Sequence, residues 1–115
     1  MLQRGLARKV TIHLNEDTSS DRGLIYEQVF QFLYDQGIAG ATLIRPQEGF
    51  GVHHHRHAQE GHGAAKRHLP VRIEFIDSPG TIDQILPALC DLVLDGLVEV
   101  QDTTIVKAAT QEASF

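Results

Sequence analysis

The spacing of apolar positions along this chain switches between a period of two and a helical period, and each switch marks an element. Val10, Ile12 and Leu14 alternate with Thr11 and His13, the pattern of a strand with one buried face. After the polar stretch Asn15 to Arg22, Ile25, Val29, Phe32 and Leu33 recur at helical spacing, with Tyr26 and Phe30 beside them, until Gly37 stops the helix. A second strand spans Ala39 to Arg45 and ends at Pro46. The third follows Leu69-Pro70, where Val71, Ile73 and Phe75 alternate with Arg72 and Glu74. Asp77-Ser78-Pro79 combines an N-cap with a proline in the first helical turn. Ile82, Ile85, Leu86, Leu89 and Val93 then form the apolar stripe of a second helix, which Gly96 closes and in which Pro87 is a candidate kink. The fourth strand runs from Leu97 to Val106, and Ala108 to Phe115 reads as a disordered tail.

The resulting order, β-α-β-β-α-β, is the ferredoxin-like split arrangement. It predicts an α+β fold with a four-stranded antiparallel sheet and two helices on one face, in a single domain over residues 1–107. In that topology the first and second strands run parallel with the third between them. The loop after the first strand, the long loop Pro46 to Leu69 and the turn before the fourth strand therefore share one edge, which brings Glu16, Asp17 and Asp21 near the base of the long loop. The sheet face without helices presents Thr11, His13, Ile44, Arg72, Glu74 and Ile76. A mixed polar and apolar face in so small a chain favours a homo-oligomer that buries it.

Composition narrows the class. With 115 residues and 42% hydrophobic content the chain is long enough for one core, and no apolar run approaches the ~20 residues of a membrane span. Met1 to Leu6 lacks the hydrophobic stretch of a secretory signal, and Cys90 alone makes no disulfide framework, so a cytoplasmic location is expected. Cys90 lies eight residues after Ile82, near the apolar stripe, and reads as a buried, inert thiol. Charge is unevenly distributed. Arg45, Arg56, Lys66 and Arg67 against Glu48 and Glu60 make residues 45–68 net +2 with neutral histidines, while the rest of the chain is −7. An acidic body with a basic loop points to an anionic ligand or partner for the loop and argues against nucleic-acid binding.

The long loop is also where candidate chemistry gathers, since it holds six of the seven histidines. It opens on Glu48-Gly49-Phe50-Gly51. Gly49 and Gly51 can bring backbone N–H groups close to an oxygen-rich ligand, and Phe50 can pack on an adenine or on the core. Arg45, Lys66 and Arg67 supply positive charge near the two ends of the loop, or are simply solvated cations. Extended backbone projects His53, His55 and His57 to one side, and a helical turn stacks His53 on His57. Either geometry pairs imidazoles that can bind zinc, nickel or copper, with His62, His68 or Glu60 completing a site. The same histidines can instead serve as a pH sensor, or belong to a mobile, variable loop that tolerates them. No HExxH helix, cysteine pair, Ser-His-Asp order, nucleophile elbow or phosphate-binding P-loop is present, so no enzyme is expected.

The run Gly37-Ile38-Ala39-Gly40-Ala41-Thr42, the Glu48-Gly49-Phe50-Gly51 motif, Leu69-Pro70-Val71 with Glu74 to Ser78, and Gly96-Leu97-Val98 together resemble domain-of-unknown-function family 190 over roughly Lys9 to Lys107. That family is similar to the PII signalling proteins and to the CutA group. The resemblance implies a homotrimer with sheets facing the central axis, and a long loop corresponding to the T-loop of PII. It further implies an adenine nucleotide in subunit clefts near the loop base, and a partner such as a membrane transporter docked through residues 46–69. Carried over by position, the ligand-binding candidates are Arg45, Glu48, Gly49, Phe50 and Gly51. The chain departs from PII in lacking a glycine-and-basic phosphate clamp before the fourth strand. The competing expectation is a metal-responsive, CutA-like trimer using the histidines; nucleotide hydrolysis is a third, weaker alternative.

Overall fold

The computed structural model describes residues 2–45 and 69–111, together with the backbone of residues 48–49 and 57–58. Eight strands and two helices are formed among these residues: β1 (Gly5–Asn15), β2 (Ser19–Ser20), β3 (Gly23–Leu24), α1 (Ile25–Asp35), β4 (Thr42–Ile44), β5 (Glu48–Gly49), β6 (His57–Ala58), β7 (Pro70–Asp77), α2 (Pro79–Leu92) and β8 (Leu97–Ile105). The main sheet has the order β4-β7-β1-β8 with every pair antiparallel, the ferredoxin-like topology that the apolar periods predict.

The core lies between the sheet and the helices. Val10, Ile12 and Leu14 of β1 and Val71, Ile73 and Phe75 of β7 project to one face. There they meet Ile25, Val29 and Leu33 of α1 and Ile82, Ile85 and Leu89 of α2, all buried. Strand alternation and helical spacing thus converge on one apolar layer, which is what fixes the register of the central strands.

The helix ends have legible causes. In α1, Gly37 (φ 74°) adopts the left-handed conformation; its N–H donates to Tyr34 O at 3.1 Å while the Ile38 N–H reaches back to Leu33 O at 3.2 Å. This is a Schellman ending, and Ile38 packs against the core beside it. At the start of α2, Ser78 Oγ accepts from the Thr81 N–H at 3.3 Å, with Pro79 in the first turn.

Several boundaries depart from the sequence reading. β1 begins at Gly5 rather than Val10, because its first half pairs with β8 as far as Gly5 opposite Ile105. The second predicted strand contracts to Thr42–Ile44, whose pairing with β7 covers three residues. The polar stretch after β1 contains a short hairpin, β2–β3, pinned to α1 where Gln28 Nε2 donates to Ser20 Oγ at 3.0 Å and to Gly23 O at 2.8 Å. Helix α2 continues through exposed Pro87 and ends at Leu92, four residues before Gly96. Gly96 has another task. At φ 150° it lies so close to β1 that a Cβ there would stand 2.1 Å from His13 O. Cys90 is exposed rather than buried, because it follows Leu89 by one residue and so falls outside the Ile82–Ile85–Leu89 face. The stretches 1, 46–47, 50–56, 59–68 and 112–115 lie outside the described residues, as does most of the predicted mobile loop.

Candidate functional site: the base of the long loop

Three chain segments meet at the sheet edge where β1 ends and β7 begins. Asn15, the last residue of β1, pairs with Pro70, the first of β7, and the Glu16 N–H continues the contact by donating to Leu69 O at 2.8 Å. On the far side of β7, Ile44 pairs with Arg72, so Arg45 leaves the sheet at the same edge. Arg45 Nε donates to Glu16 Oε1 at 3.0 Å. Glu16 therefore touches both stems of the long loop, one through its side chain and the other through its backbone.

Tyr26 completes the arrangement. It sits in the first turn of α1, and the Arg45 guanidinium carbon lies 5.6 Å from its ring centroid, within cation–π range. The Ile25 N–H donates to Thr18 O at 2.9 Å and the Thr18 N–H to Asn15 O at 3.3 Å, which holds the start of α1 against the end of β1. The Arg45 side chain is 41% exposed and that of Glu16 30%, so the guanidinium stands at the surface with an anionic neighbour and an aromatic face.

Of the ligand-binding and metal candidates read from the sequence, Arg45 is the one whose side chain is described. Glu48 and Gly49 form β5, paired with Ala58 and His57 of β6, so the long loop begins as a short antiparallel ladder with Gly49 opposite His57. Phe50, Gly51, Lys66 and Arg67 lie outside the described residues, as do the proposed metal ligands His53 and His55. Among the described residues no three His, Cys, Asp or Glu side chains gather to hold a metal ion. Glu16 was expected near this edge from the topology. The apolar pattern gives Tyr26 only as a neighbour of the helical stripe, and its place in the first turn after the β1 edge is the signal that points to this site.

The helix-free face is the second organised polar region. Its cross-strand rows are Thr42–Glu74–Thr11–Glu99 and Ile44–Arg72–His13–Leu97. Glu74 lies 3.0 Å from Arg72 Nε and 3.7 Å from Lys9 Nζ, and His13 Nε2 is 2.7 Å from Glu99 Oε1. Leu97 is 63% exposed beside His13. A cleft of about 500 Å³ at the opposite edge, lined in part by Arg4, Gly37, Ser78 and Gln84, contains none of the predicted site residues.

The fold is that of an α+β protein of the ferredoxin-like class. Residues 7–105 match domain-of-unknown-function family 190, an uncharacterized family, and the chain belongs to it. The UPF0166 protein MJ1524 of Methanocaldococcus jannaschii is 30% identical over 107 residues, covering 92% of this chain and 97% of that protein. Among solved structures, CPII of Thiomonas intermedia K12, a nitrogen regulatory PII-like protein bound to ADP, AMP and bicarbonate, superimposes with a TM-score of 0.67 at 16% identity, covering 93% of this chain and 94% of that one. CutA of Synechococcus elongatus PCC7942 superimposes with a TM-score of 0.55 at 12% identity, over 95% of this chain and 88% of that one. No described helix is long and apolar enough to cross a membrane.

Proposed function

We propose that this chain is a PII-like regulatory protein that binds an adenine nucleotide at the loop base and acts by binding rather than catalysis. The observation that carries the reading is Arg45. Its guanidinium is held at the surface of the loop base beside Glu16 and Tyr26, in a chain sharing the fold of a protein solved with ADP and AMP. A phosphate group is the natural partner for a planar guanidinium, since charge-assisted and bidentate hydrogen bonds suit the two shapes. In this reading the nucleotide phosphates reach Arg45, the Gly49-Phe50-Gly51 turn supplies backbone donors, and Lys66 and Arg67 add charge from the returning stem.

The assembly in this reading is a homotrimer in which the helix-free faces, with their charged rows and Leu97, turn toward one another. Nucleotide binding at the subunit clefts then favours or disfavours docking of a partner, such as a membrane transporter, through residues 46–69, in the cytoplasm.

Thermal shift with ADP and AMP tests the ligand. A nucleotide at about 100 times its Kd stabilises by roughly 2.7 kcal/mol, which in a domain of this size raises Tm by several degrees. Arg45→Gln should abolish most of that rise. An unchanged Tm for the wild-type protein at millimolar ADP and AMP would remove the nucleotide from this reading.

A further inference from the structure

We infer that Glu16 is an internal competitor for the anion site of Arg45, so that the chain's own carboxylate sets how much negative charge an effector must carry to bind there. The inference rests on the reading of the loop base as an anion site. Three facts carry it. Arg45 Nε donates to Glu16 Oε1 at 3.0 Å. Glu16 is anchored independently of Arg45, because its backbone N–H is bound to Leu69 O at 2.8 Å and Asn15 before it is locked in the β1–β7 ladder. Tyr26 lies against the guanidinium, 5.6 Å from centroid to carbon, and limits the directions in which Arg45 can turn.

The chemical consequence is a higher threshold for anion binding. A carboxylate ligand or a singly charged anion offers Arg45 nothing that Glu16 does not already provide, and it is repelled by Glu16 besides. A di- or trianionic phosphate chain offers more charge and several acceptor oxygens, so it can take the guanidinium from Glu16 or bind its outer nitrogens against the repulsion. Glu16 thus weakens the site for every anion by a similar factor, so that binding at a given concentration requires a ligand that brings several charged acceptor oxygens to Arg45. Both side chains are partly exposed, so the effect is modest: an exposed ion pair of this kind corresponds to at most about a fivefold change in affinity.

Calorimetric titration of ADP and of inorganic pyrophosphate into wild type, Glu16→Gln, Arg45→Gln and the double variant tests this, with circular dichroism confirming that each folds. Glu16→Gln keeps a hydrogen-bond acceptor for Arg45 but removes the charge. It is expected to bind both ligands about three- to fivefold more tightly, and acetate competition should strengthen in the same variant. In the Arg45→Gln background the gain should vanish. An unchanged or weaker affinity for both ligands in Glu16→Gln overturns the inference, as does a gain that survives loss of Arg45. If pyrophosphate binds and responds to Glu16→Gln while ADP does not bind, the competitor role stands and the nucleotide reading falls. If neither ligand binds any variant, both fall.

Discussion

At the scale of single residues, Gly96 and Gly80 make a controlled pair. A Cβ at Gly96 would overlap His13 O, and the backbone there has a positive φ, whereas a Cβ at Gly80 meets nothing within 4 Å. Gly96→Ala is expected to cost about 1–3 kcal/mol in urea unfolding, and Gly80→Ala, in the first turn of α2, to be neutral or stabilising by up to about 0.5 kcal/mol. Equal losses in the two variants would contradict the close approach of the turn to β1. The sequence marked Gly96 as a helix terminator, which placed it correctly in the chain and wrongly in its role. The contact that demands glycine is with a strand more than eighty residues away, and local pattern carries no trace of it. Arg45 was legible for a similar partial reason: its charge and its place at a strand end are local, but its pairing with Glu16 and its approach to Tyr26 arise only when three strand and helix ends meet.

Among the elements, α2 offers the clearest test. Its start is fixed by Ser78, and Ser78→Ala should lower stability by about 1 kcal/mol by leaving the Thr81 N–H without its cap. Pro87 removes an N–H from the interior of the same helix, and it is exposed. Pro87→Ala is therefore expected to raise Tm by several degrees in a thermal melt, since proline is roughly 3 kcal/mol worse than alanine inside a helix. A lower Tm would mean that the ring makes packing contacts that outweigh the restored hydrogen bond. Both helices were legible because apolar residues at helical spacing and end signals agreed. β4 was overextended because Ala39 to Ala41 continue an apolar run that the Schellman ending of α1 keeps out of the sheet. The β2–β3 hairpin escaped notice because two-residue strands have too few positions to show alternation, and side-chain contacts from Gln28 hold them.

For the whole molecule, the helix-free face is where the proposed homotrimer is open to test. It carries Lys9, Arg72, Glu74, His13 and Glu99 in paired contacts, with Leu97 exposed among them. A homotrimer predicts three times the chain's mass by light scattering. Arg72→Glu, which sets two carboxylates side by side with Glu74, should shift that mass toward the monomer at micromolar concentration. A wild-type monomer mass would sink the buried-face model outright. The topology of the sheet, and hence this face, is legible from the order of elements alone, and the sequence pattern places Thr11, His13, Ile44, Arg72, Glu74 and Ile76 on it but not Lys9, Leu97 or Glu99. What it could not reach was the pairing of charges across strands, which depends on register to within one residue.

The two rims of the sheet are unequal: β8 leaves nine residues along one side, while β4 offers three along the other. β8 carries Glu99 and Asp102 and no cation of its own. Two such rims laid against each other would bring like charges together over a long ladder, which penalises a twofold dimer built on them. Joining the long rim to the short rim of the next copy avoids that repulsion but, among the described residues, extends over three residues, too little to propagate a fibre by backbone pairing alone. The mismatch in rim length and charge therefore acts as a safeguard against pairing β8 with the β8 of another copy.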